Sequence, residues 1–198
     1  MKKYYLLICL FATSVYAVAQ PWAKNYDRVD ACNCGLALVK KDGKCGFVTE
    51  QGKVVIPLIY DEALAFAEDR AAISIGGKWG FIDKHGNEIV KPGYAEVFSF
   101  HEGLAVVSSG HEYGFIDSSG NVVISILYTN AHGFADGYAS VCNKKGKWGY
   151  IDKAGKEVIP YRYNYATSFA EGVARVLINT TWHTIDKDGN ITKTFVME

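Results

Sequence analysis

The sequence predicts an all-β chain: an array of about five 34-residue repeats, each a three-strand meander, stacked as an open twisted array. Three observations predict it. A glycine-centred block recurs at near-constant spacing. Aromatic, acidic and small residues hold fixed positions between the blocks. The composition suits short strands joined by tight turns: of 198 residues, 49% are hydrophobic, 14% aromatic and 20 are Gly. That apolar content excludes a disordered chain. Lys plus Arg and Asp plus Glu each total 21, which excludes a nucleic-acid binder built on a broad basic footprint.

The chain opens with an address. Lys2 and Lys3 are followed by the uncharged, nearly all apolar run Tyr4 to Tyr16 and by the small-residue pattern Ala17-Val18-Ala19. This is the order of a secretory signal peptide, and the run is shorter than the roughly 20 apolar residues of a membrane span. Cleavage is expected before Gln20, with cleavage after Ala17 as the alternative. Ile8 is too bulky to precede a lipid-modified Cys9. Losing residues 1–19 removes two lysines and no acid, leaving 19 basic and 21 acidic residues and a net charge of −2. The mature chain has no transmembrane segment in this reading. Its expected destination is the periplasm, the outer membrane's surface or the medium.

The remainder, residues 20–198, is one unit repeated. The blocks are KCGFVTEQG (44–52), KWGFIDKHG (78–86), EYGFIDSSG (112–120), KWGYIDKAG (147–155) and TWHTIDKDG (181–189). Their central residues, Gly46, Gly80, Gly114, Gly149 and His183, are spaced by 34, 34, 35 and 34. Fourteen residues after each central Gly stand Tyr60, Tyr94, Tyr128 and Tyr163, and twenty after stand Phe66, Phe100, Phe134 and Phe169. Then come an acid (Glu68, Glu102, Asp136, Glu171) and a column of Asp69, Gly103, Gly137 and Gly172. Run backwards, the register places Tyr26, Gly35, Ala37 and Val39, with Cys32 and Cys34 standing for the Phe and the acid. The division is a half repeat 20–43, full repeats 44–77, 78–111, 112–146 and 147–180, and a half repeat 181–198.

With these columns the chain resembles the WG (KWG-type) repeat family of exported bacterial proteins. Trp79-Gly80 and Trp148-Gly149 carry the pair intact, and Tyr113-Gly114 keeps an aromatic. Cys45-Gly46 loses the aromatic, and Trp182-His183 loses the Gly. The resemblance implies an architecture and no activity.

Each element follows in order. Trp79 to Asp83 reads as a strand, and Asp83-x-x-Gly86 as a type I turn with Gly in the left-handed position. A second strand, Asn87 to Val90, is expected to stop near Pro92, as its equivalents stop near Pro57 and Pro160. Tyr94 to Phe100 is less regular, with room for one helical turn. A third strand, Leu104 to Ser108, then leads through a short turn to the next unit. The Phe and Tyr columns are expected to fill the core between units. Asp69, in a column of glycines, is expected to have a positive φ. The complementary half repeats leave a closed, five-bladed, propeller-like ring as the alternative arrangement.

Chemistry-bearing residues are sparse. The acidic column Asp83, Asp117, Asp152, Asp186 reads as turn-forming and the column Glu68, Glu102, Asp136, Glu171 as structural, because one carboxylate per unit falls short of calcium's six to eight oxygen ligands. Four cysteines follow the signal peptide: Cys32, Cys34, Cys45 and Cys142. Cys32 takes a Phe position and Cys45 a Trp position, and if those columns touch, a Cys32–Cys45 disulfide would replace an aromatic contact. A two-residue turn at Asp42-Gly43 would set Lys40 opposite Cys45. The five histidines occupy five phases of the repeat, and no nucleotide, metal or nucleophile motif occurs. No catalytic, cofactor or metal residue is therefore assigned. The expected function is non-enzymatic binding or scaffolding in the bacterial envelope, with an unknown protein or an envelope polysaccharide as partner and no nucleic acid. The alternatives are a structural spacer and an enzyme whose site is confined to one repeat.

Overall fold

Why the blocks carry a glycine before the Asp-x-x-Gly turn becomes visible in strand register. A computed structural model describes residues 21–195; the expected signal peptide, residues 1–19, lies outside them. They form five four-stranded antiparallel sheets in chain order, with no α-helix. The first holds β1 (Arg28–Asn33), β2 (Leu36–Lys41), β3 (Lys44–Thr49) and β4 (Val54–Tyr60); the second holds β5 (Glu62–Ala63), β6 (Arg70–Ile75), β7 (Lys78–Asp83) and β8 (Glu88–Tyr94). The third holds β9 (Glu96–Val97), β10 (Leu104–Ser108), β11 (Tyr113–Asp117) and β12 (Val122–Tyr128). The fourth holds β13 (Asn130–Ala131), β14 (Ala139–Cys142), β15 (Trp148–Ile151) and β16 (Glu157–Tyr163). The fifth holds β17 (Tyr165–Ala166), β18 (Ala174–Ile178), β19 (Thr181–Ile185) and β20 (Ile191–Phe195).

Each sheet thus contains the expected three-strand meander plus one strand more. In the last four sheets the addition is a two-residue strand where a helical turn had room. It forms because the chain leaves one sheet and enters the next across a single residue. Asp61, Ala95, Thr129 and Asn164 already donate their N–H to Ser74, Ser108, Cys142 and Leu177 of the new sheet. All strand pairing stays within a sheet, and no strand of the first pairs with one of the last among the described residues. The array shows no closure, and neither end borrows a strand from the other.

The strands expected to stop at proline run through it. In the second sheet Trp79 pairs with Tyr94 and Phe81 with Val90, so two residues of β7 span four of β8. The bulge holds Lys91, Pro92 and Gly93, where no ladder N–H is required of the proline. Gly80 faces this bulge, and a Cβ there would collide with the backbone from Val90 to Pro92. Gly46, Gly114 and Gly149 stand against equivalent bulges, each with an added Cβ 2.7 Å from the carbonyl oxygen of Ile56, Ile124 or Ile159.

The turns repeat with small edits. Asp117 Oδ1 accepts the N–H groups of Ser119 and Asn121, and Gly120 N–H bonds the Asp117 carbonyl. Asn121, through its amide and its backbone N–H, holds the Asp117 carboxyl below the ordinary carboxylate range. Thr49 fills this role in the first unit, its hydroxyl accepting the Lys53 N–H. The extra residue of the fourth unit falls in the β14–β15 hairpin, where Asn143 makes the same turn with its amide oxygen.

Sheets meet through aromatic pairs. The residue after each central Gly packs against the Phe of the following unit: Phe47–Phe66 at 4.8 Å, Phe81–Phe100 at 5.0 Å, Phe115–Phe134 at 5.1 Å and Tyr150–Phe169 at 4.8 Å between ring centroids. The four Phe are buried, and such offset and edge-to-face pairs add to the burial term. Tyr60, Tyr94, Tyr128 and Tyr163 pair across strands with Cys45, Trp79, Tyr113 and Trp148.

The outer face of the first sheet is covered by a remnant of a preceding unit. Trp22 stands 34 residues before Ile56, and as Ile56 packs on Gly86, so the Trp22 indole packs on Gly52. Trp22 and Tyr26 close over Ala37, Val39 and Val48.

Candidate functional site

The acidic column joins successive units. Ala67 to Arg70 and its equivalents are tight turns whose two central residues both have positive φ, as at Glu68 (49°) and Asp69 (62°). From each turn the acid reaches the next. Glu102 and Gly103 N–H donate to Glu68 at 2.7 Å, Gly137 N–H to Glu102 at 3.1 Å, and Gly172 N–H to Asp136 at 2.7 Å. Lys153 adds an ion pair to Glu102 and Lys84 one to Asp69. Cys34, with a φ of 52°, holds this position in the first unit.

The Cys32–Cys45 disulfide is not formed: all four described cysteines are free. Cys32 on β1 pairs with Ala37 and Cys45 on β3 pairs with Lys40, so β2 lies between them. Two strand spacings, about 9.5 Å, exceed the roughly 7 Å Cα separation a disulfide allows. The Phe and Trp columns do share interfaces, but Cys32 faces where a preceding unit would stand, whereas Cys45 faces the second sheet. The two-residue turn does set Lys40 opposite Cys45.

Beside the acidic turns, the segments after the two-residue strands converge. Leu64, Phe98, His132 and Ser168, from four successive sheets, line one groove with a volume of about 430 Å3, together with His101. Phe98 is 43% exposed there. The groove holds apolar, hydroxyl and imidazole groups and no carboxylate or lysine.

His132 is the most constrained of these. Its ring stacks on Trp148 at 4.9 Å, with Nδ1 2.8 Å from Ser140 Oγ and Nε2 3.4 Å from the Tyr165 hydroxyl. The Ser–His contact resembles a nucleophile and its base, but Ser140 is 0% exposed in the middle of β14. Burial holds the His132 pKa below its ordinary 6.5. The neutral ring is the form the fold favours, so its stabilisation is present above the unfolded-state pKa and is lost as pH falls through the lower folded value. The thermal midpoint is therefore expected to drop from about pH 7 to about pH 5.5, and to drop less in His132→Gln, as followed by circular dichroism.

Five stretches, 23–45, 46–79, 79–110, 113–148 and 148–182, match the WG-containing repeat. The chain belongs to the WG-containing repeat family. No curated protein is a significant match. Solved structures similar to this WG-repeat chain are propeller-like. Hsv2 from Kluyveromyces lactis is 13% identical with a TM-score of 0.54, over 81% of this chain and 59% of that one. BamB from Moraxella catarrhalis is 13% identical with a TM-score of 0.50, over 84% and 60%. The WD40 β-propeller domain of Doa1 is 10% identical with a TM-score of 0.44, over 85% and 69%. The WG-repeat chain spans about three-fifths of Hsv2 and of BamB. At these identities the likeness is one of fold.

Sequence reasoning identified the repeat columns and missed the groove. Leu64, Phe98 and His132 of its lining share one column, whose fourth member is Thr167, beside the lining Ser168, and the variation in that column was its only signal. Sequence reasoning also passed over Trp22, whose signal was its 34-residue register with Ile56. No described helix is long and apolar enough to cross a membrane.

Proposed function

We propose that this WG-repeat chain is a non-enzymatic binding module of the bacterial envelope, exported by residues 1–19, that holds a protein or polysaccharide ligand in the groove lined by the segments after its two-residue strands. The convergence of Leu64, Phe98, His101 and His132 from three successive sheets on one open groove carries this reading. A partly exposed aromatic ring beside imidazole and hydroxyl groups is a surface for stacking and hydrogen bonding. Repeats supply such surfaces by varying loop residues over a constant core. Binding is favoured over catalysis because Ser140, the serine of the one Ser–His contact among the described residues, is 0% exposed.

The test is retention of envelope fractions, protease-treated and untreated, on immobilised protein of residues 20–198. Saturable retention is expected, and Phe98→Asp should reduce it at least about tenfold while shifting stability by less than about 0.5 kcal/mol, as for other surface changes. Survival of protease treatment would assign a polysaccharide, and loss would assign a protein. Equal retention by Phe98→Asp, or none by either form, would overturn the reading.

A further inference from the structure

Outside the groove, the one repeat that lacks an aromatic before its central Gly encloses a different cavity. Each sheet carries a row of cross-strand neighbours facing the next sheet. The row is Glu62, Ser74, Trp79, Tyr94 in the second sheet; Glu96, Ser108, Tyr113, Tyr128 in the third; and Asn130, Cys142, Trp148, Tyr163 in the fourth. In each, an indole or phenol stands third and reaches toward the following unit. Trp79 packs with Val97 and Phe100, and Trp148 with Ala166 and Phe169.

The first sheet's row is Arg28, Lys40, Cys45, Tyr60. Cys45 removes the ring, and a cavity of about 350 Å3 lies between the first and second sheets. Cys45, Leu38, Leu64 and the Trp79 indole give it apolar walls, and Arg28, Lys40 and Glu62 also line it. Its volume falls at the lower end of the range for small-molecule sites.

The charges also differ from those of every other row. Arg28 and Lys40 stand directly opposite each other on adjacent strands, an arrangement that is destabilising by itself. Arg28 is held by Asp30 through two hydrogen bonds, at 2.6 and 2.7 Å. The Lys40 ammonium has no such partner among the described residues. An anion in the cavity would offset the opposed cations. Glu62, the one acid on the lining, disfavours a second negative charge on whatever enters.

We propose that this cavity binds a small, singly charged aromatic carboxylate, its ring beside Trp79 in the space that an indole or phenol fills in the other repeats and its carboxylate on the Lys40 ammonium. The site shares Leu64 alone with the groove, and its test does not depend on the groove's ligand.

Titration calorimetry of the protein of residues 20–198 with phenylacetate and with indole-3-acetate tests it. One-site saturable binding is expected for at least one of the two acids. Acetate, which lacks the ring, and indole, which lacks the charge, should each bind at least about tenfold more weakly. Lys40→Gln should weaken the aromatic acid at least about tenfold, and Cys45→Trp, which restores the ring of the other repeats, should abolish binding. Phe98→Asp should leave it unchanged. If Cys45→Trp does not fold, Lys40→Gln carries the test. Absence of saturable heat up to about 10 mM ligand, or binding that Lys40→Gln leaves intact, would overturn the proposal.

Discussion

Phe134→Ala is expected to lower the unfolding free energy by about 3–5 kcal/mol, the range for removing a buried Phe. The ring is 2% exposed and packs edge-on against Phe115 at 5.1 Å. It is surrounded by Val106, Ile124, Ala139 and Ile151, which belong to two different sheets. Little can collapse into the gap, because both sheets are held at their spacing by interfaces on their other sides. Phe115→Ala should cost a similar amount, and the double variant should reveal a coupling of about 0.5–1.5 kcal/mol between the rings. In an array whose larger inter-sheet contacts join adjacent sheets, a weakened central interface also divides the cooperative unit. Urea unfolding of Phe134→Ala should therefore show a lower slope, with fluorescence and circular dichroism no longer coincident. Val122→Ala, at a side chain 51% exposed on an edge strand, should stay within about 0.5 kcal/mol. A loss of less than about 1 kcal/mol in Phe134→Ala would mean that the aromatic pairs do not hold the sheets together.

Those Phe positions were legible in the sequence because one physical demand, filling an interface between identical units, recurs every 34 or 35 residues. The D-x-x-G turns were legible for the same reason, and Asp69 in a column of glycines announced its positive φ. The two-residue strands were not. Glu62–Ala63, Glu96–Val97, Asn130–Ala131 and Tyr165–Ala166 share only a small or β-branched second residue, and two residues cannot display a period of two. Pro57, Pro92 and Pro160 were misread as strand ends because the bulge that accommodates them depends on a glycine in the neighbouring strand. The groove was hidden because its lining side chains differ from unit to unit, whereas a repeat is detected by what stays the same. Cys45 did stand out as the wrong residue in a Trp column. A disulfide was the nearest explanation for it, and strand order, which places β2 between Cys32 and Cys45, removes that explanation.

Gly114→Ala should destabilise by about 1–3 kcal/mol, the range for overpacking, although a helix or strand propensity scale would rate the change as favourable or neutral. The added Cβ would lie 2.7 Å from the Ile124 carbonyl oxygen and 2.8 Å from the Ile126 Cα. Both atoms belong to the main chain, so no rotamer change relieves the contact. Gly114 has no positive φ, so the cost is one of space and not of backbone strain. The fifth sheet supplies the natural control. There His183 occupies the central position, and β20 pairs with β19 in step: Trp182 with Phe195, His183 with Thr194, Thr184 with Lys193. With no bulge pressed against it, the position holds an imidazole whose Nδ1 lies 2.9 Å from Thr194 Oγ1. His183→Gly should then cost no more than about 1 kcal/mol, the ordinary penalty of a strand glycine. Glycine is thus required in this column wherever the neighbouring strand bulges, and dispensable where it does not. Chemical denaturation of the two variants decides the point: a Gly114→Ala loss smaller than that of His183→Gly would show that the bulge is not what the repeated glycines accommodate.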